Sequence, residues 1–173
     1  MMRLLSRFWR PKPLPLFLAC SVYANGRVIG VLTVKLVGRA ELVDFDVGSF
    51  EARLPIDDPQ LIAACRSALD RSCAVPTEEI RAFPDYLETE RRFKRWAEAL
   101  RVFDGRKSIY TVWQKMELVY LHYDGADYVV RPMQKVRHYS YTVMKGPDGA
   151  EIAPRFDRLE DAVTELRRWM VRP

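Results

Sequence analysis

Cysteine, glycine and histidine are scarce in this sequence, and their scarcity argues against several classes of functional site. The 173 residues include three cysteines, eight glycines and two histidines. The cysteines are odd in number and show no CxxC spacing, which argues against a disulfide framework and a structural zinc site. The glycines form neither a GxGxxG turn nor a GxxxxGK[ST] phosphate loop. HxxxH and HExxH spacings are missing as well, so the sequence indicates no metal site and no cofactor.

Long hydrophobic runs are also missing, and the apolar stretch near the N-terminus, Leu14–Ala24, is too short to span a bilayer. Basic residues precede it, and it contains an Ala-Cys step at Cys20, as a short lipoprotein export signal does. Three prolines between positions 11 and 15 break any helix in such a signal. We interpret residues 1–16 as an N-terminal tail and residues 17–173 as one domain. The alternative is an exported lipoprotein acylated at Cys20.

Two dipeptides that favour tight turns divide segments rich in β-branched and aromatic residues. Asn25-Gly26 and Asp124-Gly125 each stand between two such segments, and a two-residue hairpin turn of this kind needs positive φ angles. The sequence therefore predicts two antiparallel hairpins. Their predicted strands are Phe17–Ala24, Val28–Val37, Glu117–Tyr123 and Tyr128–Arg131.

Other segments predict further strands. One or two are expected around Gly48, and Lys135–Met144 has the composition of a single strand. Pro132 lacks an amide donor, so we expect it at a sheet edge or at a strand end. Ser108–Met116 fits either a strand or a short helix, and Thr77–Arg81 fits one helical turn.

Three segments carry apolar residues at helical spacing. The first helix is predicted to open at Asp58-Pro59, where Asp58 can cap the first amides. The second is predicted over Asp85–Phe103, and the third starts at Asp157 with a capping-box residue, Glu160, three positions on. The order of strands, two helices, strands and a helix predicts an α+β fold, a mainly antiparallel sheet with about three helices packed on it.

Only His122 and His138 could act as bases near neutral pH without a shifted pKa. Together with Tyr120, Tyr139 or Tyr141 they would suit acid–base work on a phosphodiester. The sequence shows no nucleophile and no third group that orients either imidazole. We favour the interpretation that both histidines are partly buried sheet residues, and we expect no enzymatic activity. A small enzyme that uses them is the alternative.

Basic residues form two clusters, Arg91–Lys107 and Arg131–Arg137. The second cluster lies beside aromatic residues in the sequence. Such a pattern is typical of proteins that bind single-stranded nucleic acid. Glu88, Glu90 and Glu98 interrupt the first cluster, however, and its aromatic residues have core spacing. A small nucleic-acid-binding module is therefore an alternative, and we expect no direct binding of nucleic acid.

Formal charge is unevenly distributed along the chain. Residues 1–43 carry a net +6, residues 44–90 a net −7 and residues 91–173 a net +6, within a total of +5. An acidic middle between basic ends suits a protein partner with a charged surface. A uniformly basic face for nucleic acid is not the simplest interpretation.

The C-terminal half contains a distinctive series of features. They are Trp96 and Leu100 on a helix, an aromatic-plus-Lys-Met step at Trp113–Met116, a β segment through Arg131-Pro132, and an Ile-x-Pro turn at Ile152–Pro154 before a capped helix. In these features the chain resembles the CdiI immunity proteins of bacterial contact-dependent growth inhibition systems, and weaker similarity extends over Leu54–Leu69.

The resemblance implies a cytoplasmic antidote that is not an enzyme. Such a protein binds the C-terminal toxin domain of a large secreted CdiA-type effector, commonly a nuclease, and blocks its active site or substrate surface. Many nuclease antidotes are acidic overall, whereas this chain carries +5. Either the local acidic middle makes the toxin contact, or the toxin itself is not strongly basic. The predicted toxin-binding residues are Asp57, Asp58, Glu78, Glu79, Asp85 and Glu88.

Overall fold

The computed structural model describes residues 16–45, 49–76, 78–80, 86–137 and 140–170. These residues form one α+β domain, a mainly antiparallel sheet with helices on both faces, which confirms the predicted class. The strands are β1 (Leu18–Ala24), β2 (Val28–Val37), β3 (Ala40–Asp44), β4 (Phe50–Arg53), β5 (Ala74–Val75), β6 (Glu117–Tyr123), β7 (Tyr128–Arg137), β8 (Ser140–Val143) and β9 (Arg155–Phe156). The helices are α1 (Asp58–Arg71), α2 (Tyr86–Asp104), α3 (Ile109–Trp113) and α4 (Leu159–Met170).

The sheet is built around β1, which lies between β2 and β6. Its main path runs β3-β2-β1-β6-β7-β8, and every pair along it is antiparallel. Strand β4 also pairs with β2, the short β5 joins the end of β2 in parallel, and β9 pairs with β7. In the described part of the chain, none of the helices has both the length and the apolar content to cross a bilayer.

Both predicted hairpins are confirmed, but the prediction of two-residue turns is wrong. Three residues, Asn25–Arg27, join β1 to β2, and four, Asp124–Asp127, join β6 to β7. Among the described residues, only glycines have a positive φ, and side-chain hydrogen bonds fix both turns. In the first, the Asn25 side-chain oxygen accepts hydrogen bonds from the amides of Arg27 and Val28, each at 3.1 Å, and Gly26 has a φ of +80°. In the second, the Asp124 carboxylate accepts from two amides that follow it, and Gly125 has a φ of +98°. Glycine adopts these positive φ angles without the steric cost of a Cβ atom.

Alternation along the strands gives the sheet two buried faces. Cys20 and Val22 of β1 belong to the core that α1 and α4 cover, whereas Tyr23 belongs to the core under α2 and α3. We call these the α1/α4 face and the α2/α3 face. Cys20, the acylation site of the lipoprotein alternative, is fully buried near Cys65 of α1.

The sheet curls toward the α2/α3 face. Tyr141 of β8 and Tyr23 of β1 are three strands apart, which in a flat sheet corresponds to about 14 Å. Their ring centroids are nevertheless only 6.4 Å apart. The curl therefore brings residues from distant strands together over the centre of this face.

Helix α2 approaches the sheet closely because β2 carries a glycine beneath it. A Cβ atom at Gly30 would lie 3.0 Å from a ring carbon of Trp96. The indole rests on the bare strand there, and its Nε1 donates a hydrogen bond to the Glu51 carboxylate at 2.9 Å. This close approach sets the position of the other α2 side chains.

Two predicted helix starts differ from the observed ones. The cap of α1 is Asp57, whose carboxylate accepts a hydrogen bond from the Gln60 amide at 2.8 Å, so the assignment of this role to Asp58 is wrong. Helix α4 begins at Leu159, two residues after the predicted Asp157. Helix α2 was predicted within one residue at each end.

The prediction that Pro132 lies at an edge or a strand end is wrong. Pro132 lies inside β7, opposite Val119 of β6. Its carbonyl accepts a hydrogen bond from the Met144 amide at 3.0 Å, just past the end of β8. Because the nitrogen and the carbonyl of one strand residue point to the same side, the missing donor faces the end of β8 and interrupts no bond with β6.

Some short strands were missed or merged in the prediction. The segment Lys135–Met144 is not one strand, because β7 ends at Arg137 and β8 begins at Ser140. The strands β3 and β5 were not predicted, while β4 accounts for the strand expected near Gly48, which itself lies outside the described residues. The segment Ser108–Met116, predicted as either a strand or a short helix, contains the short helix α3.

Candidate functional site

Two of the predicted acidic contact residues lie together at the start of α1. The Asp57 carboxylate is engaged as the helix cap. The Asp58 carboxylate is 2.7 Å from the Arg167 guanidinium of α4, and its side chain is 60% exposed. Both side chains can be reached from solvent, but each already has a partner within the domain.

Glu78 and Glu79 lie beyond the other end of α1. Both glutamates follow β5, and β5 pairs with the last residues of β2. Helix α1 begins near β4 instead, and β4 pairs with the first residues of β2. A helix of this length spans about 21 Å. Both glutamates are exposed, so they form an acidic pair that is separate from the start of α1.

Glu88 lies on the α2/α3 face of the sheet and is surrounded by basic side chains. Its carboxylate is 3.2 Å from Arg92 and 3.5 Å from both Arg91 and Arg95. Arg92 is the main reason why the pKa of Glu88 lies below its usual value. Asp85, the remaining member of the predicted set, lies outside the described residues. The described members of the set thus form separate pairs and single groups, not one patch.

The first basic cluster of the sequence is largely balanced by acids on the same helix. Lys94 pairs with Glu90 at 2.9 Å and Arg101 with Glu98. Such i,i+3 and i,i+4 pairs are typical of a solvated helix face. The exposed side of α2 therefore has mixed charge.

The second basic cluster lies beside an exposed aromatic residue. Lys135 and Arg137 of β7 line an open cavity of about 540 Å³ together with Tyr110, which is 50% exposed. The Lys135 ammonium donates a hydrogen bond to the carbonyl of Trp113. This is the described surface that best fits the nucleic-acid alternative.

His122 belongs to a small polar cluster on the α2/α3 face of the sheet. Tyr120 lies directly opposite Arg131, and the rings of Tyr120 and His122 are 5.7 Å apart. Burial lowers the pKa of His122, and the positive charge of Arg131 lowers it further. Burial raises the pKa of Tyr120, and the neighbouring Glu41 carboxylate adds to this effect.

Of the acid–base set considered from the sequence, the described part of this cluster contains His122 and Tyr120 but not Tyr141. The Tyr141 hydroxyl donates to the Met116 carbonyl at 2.9 Å and lies in the core near Tyr23. His138 and Tyr139 lie outside the described residues. Among the residues that the structure describes, no group of three or more acidic, cysteine or histidine side chains could hold a metal ion.

The lowered pKa of His122 predicts a pH dependence of stability. Between the folded-state pKa and the unfolded value of about 6.5, the unfolded chain binds more protons, so stability decreases as the pH falls through this range. We expect the His122→Gln variant to show a shallower decrease in the free energy of unfolding between pH 7 and 5. Urea unfolding at several pH values measures it, with the wild-type chain as the reference. An unchanged slope in the His122 variant would contradict the prediction.

An aromatic cavity of about 270 Å³ lies on the α2/α3 face and is called here the aromatic pocket. Its described lining residues are Tyr23, Phe45, Thr89, Glu90, Phe93, Trp113 and Tyr141. Phe93 packs against Phe45 at 5.5 Å and against Trp113 at 5.4 Å between ring centroids. Tyr23 meets Trp113 edge to face at 5.5 Å.

This pocket was not predicted from the sequence, although much of the surrounding core was. Phe93 and Trp96 were assigned correctly to the inner face of α2. Phe45 and Tyr141 come from opposite edges of the sheet, and only the curl brings them to the same helix. The one signal in the sequence that could have indicated the pocket is the presence of aromatic residues in both halves of the chain.

One comparison with known proteins shows the family of this chain, and another shows its fold. The model of the CdiI family, described as CDI immunity protein, matches residues 18–159. No curated protein matches the chain significantly. A solved protein of unknown function from Neisseria meningitidis is similar, with a TM-score of 0.78, 17% identity, and coverage of 93% of this chain and 98% of that one.

A second similar structure is a CdiA-CT/CdiI toxin and immunity complex from Yersinia pseudotuberculosis. The matched chain has a TM-score of 0.73 and 16% identity, with coverage of 91% of this chain and 97% of that one. At such identities the two structures show a shared fold alone. The family match spans the domain from β1 to the first residue of α4.

Proposed function

Because this chain belongs to the family of CDI immunity proteins, we propose that it binds and neutralises the C-terminal toxin domain of its cognate CdiA-type effector. The observation that carries the proposal is the family match over residues 18–159, which includes every described strand. The complex from Yersinia pseudotuberculosis, which has the same fold, is a toxin bound to its immunity protein. We place the encounter in the cytoplasm of the cell that makes the immunity protein.

The proposed mechanism is occlusion of the toxin, without a reaction by the immunity protein itself. We propose that the toxin is a nuclease, whose substrate-binding surface must be basic to hold phosphates. Acidic side chains then attract it and speed the encounter, while a few desolvated contacts hold the complex. The acidic residues proposed for this role are Asp57, Asp58, Glu78, Glu79, Asp85 and Glu88.

Within that set, Glu78 and Glu79 are the best candidates for long-range attraction. They are adjacent and exposed. By contrast, Asp57 caps a helix, Asp58 pairs with Arg167, and Glu88 is balanced by arginines. Steering acts on the association rate and weakens as salt is added.

Co-expression with the toxin domain of the cognate CdiA-type effector tests the proposal. We expect the two proteins to purify together, the toxin's nuclease activity to be blocked, and growth of the producing cells to be restored. A toxin domain from an unrelated effector is the control and should remain active. If the cognate toxin neither binds nor loses activity, the proposed function is wrong. If the toxin acts on a substrate other than nucleic acid, only the nuclease assignment is wrong.

A further inference from the structure

We propose that the aromatic pocket is the anchor site for one cationic side chain, an arginine or lysine, of the toxin domain. This inference rests on the proposed function. It identifies one of the desolvated contacts that hold the complex, which the acidic residues alone do not supply. The pocket's volume of about 270 Å³ is below the roughly 300–1,000 Å³ of small-molecule sites, so its size suits a single side chain.

The described walls of the pocket are largely aromatic. Tyr23, Phe45, Phe93, Trp113 and Tyr141 contribute aromatic rings to the lining. A cation over such a ring is attracted by the negative face, and the attraction grows when water is excluded. The structure already contains one instance, because the Lys135 ammonium lies 5.8 Å from the centroid of the Tyr141 ring. Lys135 is not one of the described lining residues and borders the neighbouring cavity.

A carboxylate stands beside these rings. Glu90 is among the lining residues and pairs with Lys94 at 2.9 Å. Both side chains are substantially exposed, so this intrahelical pair is weak and yields readily to a competing cation. A cation that entered the pocket would thus contact aromatic rings and would compete with Lys94 for the Glu90 carboxylate.

The same features disfavour other occupants. A nucleotide base could stack on the rings, but its phosphate would approach the Glu90 carboxylate. An apolar side chain would leave that carboxylate partly desolvated and without a new partner. A guanidinium satisfies both surfaces because its flat face stacks on aromatic rings while its edge donates to a carboxylate. Arginine is also enriched at the few positions that carry most of the energy of protein interfaces.

The rings are held in place before any partner arrives. The Tyr141 hydroxyl donates to the Met116 carbonyl, and Tyr23 packs against Trp96 at 5.4 Å between centroids. Phe93 is fixed between Phe45 and Trp113. A site that is ordered in advance loses less entropy on binding, which increases the affinity that each contact adds.

Two substitutions test the two halves of the site. Glu90→Gln removes the charge at constant shape, and Phe45→Leu removes a ring while keeping an apolar side chain. We expect each to raise the Kd for the toxin domain about tenfold, by analogy with a desolvated cation–π contact or a lost ion pair. The measurement is calorimetric titration of the full chain with the toxin domain inactivated at its catalytic residue.

Each of the two substitutions has a matched control on α2. Glu98→Gln removes a carboxylate that also pairs with a basic residue on α2, and Phe103→Leu removes an exposed ring that lies outside the described pocket lining. Both controls should bind within about twofold of the wild type, as substitutions outside an interface do. Thermal unfolding of each variant separates loss of folding from loss of the contact.

The possible outcomes separate this inference from the proposed function. If the wild-type chain does not bind the toxin domain, the proposed function fails. If the wild type binds but Glu90→Gln binds equally well or more tightly, the pocket does not hold a cation and the inference is wrong. If both pocket variants bind weakly, alanine substitution of each toxin arginine and lysine should reveal one whose loss is not additive with Glu90→Gln.

Discussion

Replacing Trp96 with alanine is expected to lower the free energy of unfolding by about 3–5 kcal/mol, the usual cost of removing a buried tryptophan. The indole is 5% exposed and is the central ring of the core under α2 and α3. It contacts the rings of Tyr23, Phe45 and Trp113 at centroid distances of 5.4 to 5.9 Å. Its removal leaves a cavity over Gly30, where the strand has no side chain to fill the space.

Urea unfolding at neutral pH measures this loss. Val102→Ala is a suitable control, because Val102 lies on the same helix with 63% of its surface exposed, and we expect its effect to stay within about 0.5 kcal/mol. Trp96→Phe should give an intermediate loss, since it keeps a ring but loses the hydrogen bond to Glu51. A loss below about 1 kcal/mol in Trp96→Ala would show that the cavity collapses or that the core is loosely packed.

Local signals in the sequence predicted the elements that local interactions fix. The Asn25-Gly26 turn is closed by the side chain of Asn25 and by the positive φ of Gly26, and both effects act within four residues. Helix α2 has its apolar stripe at helical spacing and ends beside Gly105, whose φ is +73°. Such features can be derived because the residues that cause them are neighbours in the chain.

Features that depend on distant contacts were predicted less well. Pro132 is tolerated inside β7 only because β8 ends beside it, and the end of β8 cannot be inferred from the residues around Pro132. The two-residue strand β5 exists because it pairs with Leu36 and Val37, which lie more than thirty residues earlier. Asp57 and Asp58 are equally good caps by composition, and the salt bridge from Arg167 to Asp58 comes from another helix.

The candidate site depends even more on contacts between distant parts of the chain, so it was predicted less well than the fold. The charge distribution along the chain predicted a set of acidic contact residues. The described members of that set lie at both ends of α1 and on the opposite face of the sheet. The aromatic pocket depends on the curl that brings Tyr141 within 6.4 Å of Tyr23. No periodicity in a single segment encodes that curvature, because it is a property of the whole sheet.

The second large effect is expected at Asp104, the last residue of α2. Its side chain is fully buried, 3.0 Å from the Arg27 guanidinium and 3.0 Å from the side-chain amide of Asn25. Arg106 adds a longer ion pair at 3.6 Å. A carboxylate at a helix C-terminus faces the negative end of the helix dipole, so these partners must offset an unfavourable position. Together they attach the β1–β2 turn to the end of α2.

We expect Asp104→Ala to lower the free energy of unfolding by about 2–3 kcal/mol, the upper range for hydrogen bonds to a charged group. The loss should not reach the cost of a fully buried unpaired charge, because the Arg27 side chain is 58% exposed and can be rehydrated. Glu98→Ala, which breaks only an exposed pair with Arg101, should change stability by less than about 1 kcal/mol. Unfolding in urea with and without 1 M salt tests this explanation, because a buried pair is screened much less than an exposed one. An Asp104→Ala variant as stable as the wild type would mean that the turn is held by its backbone alone.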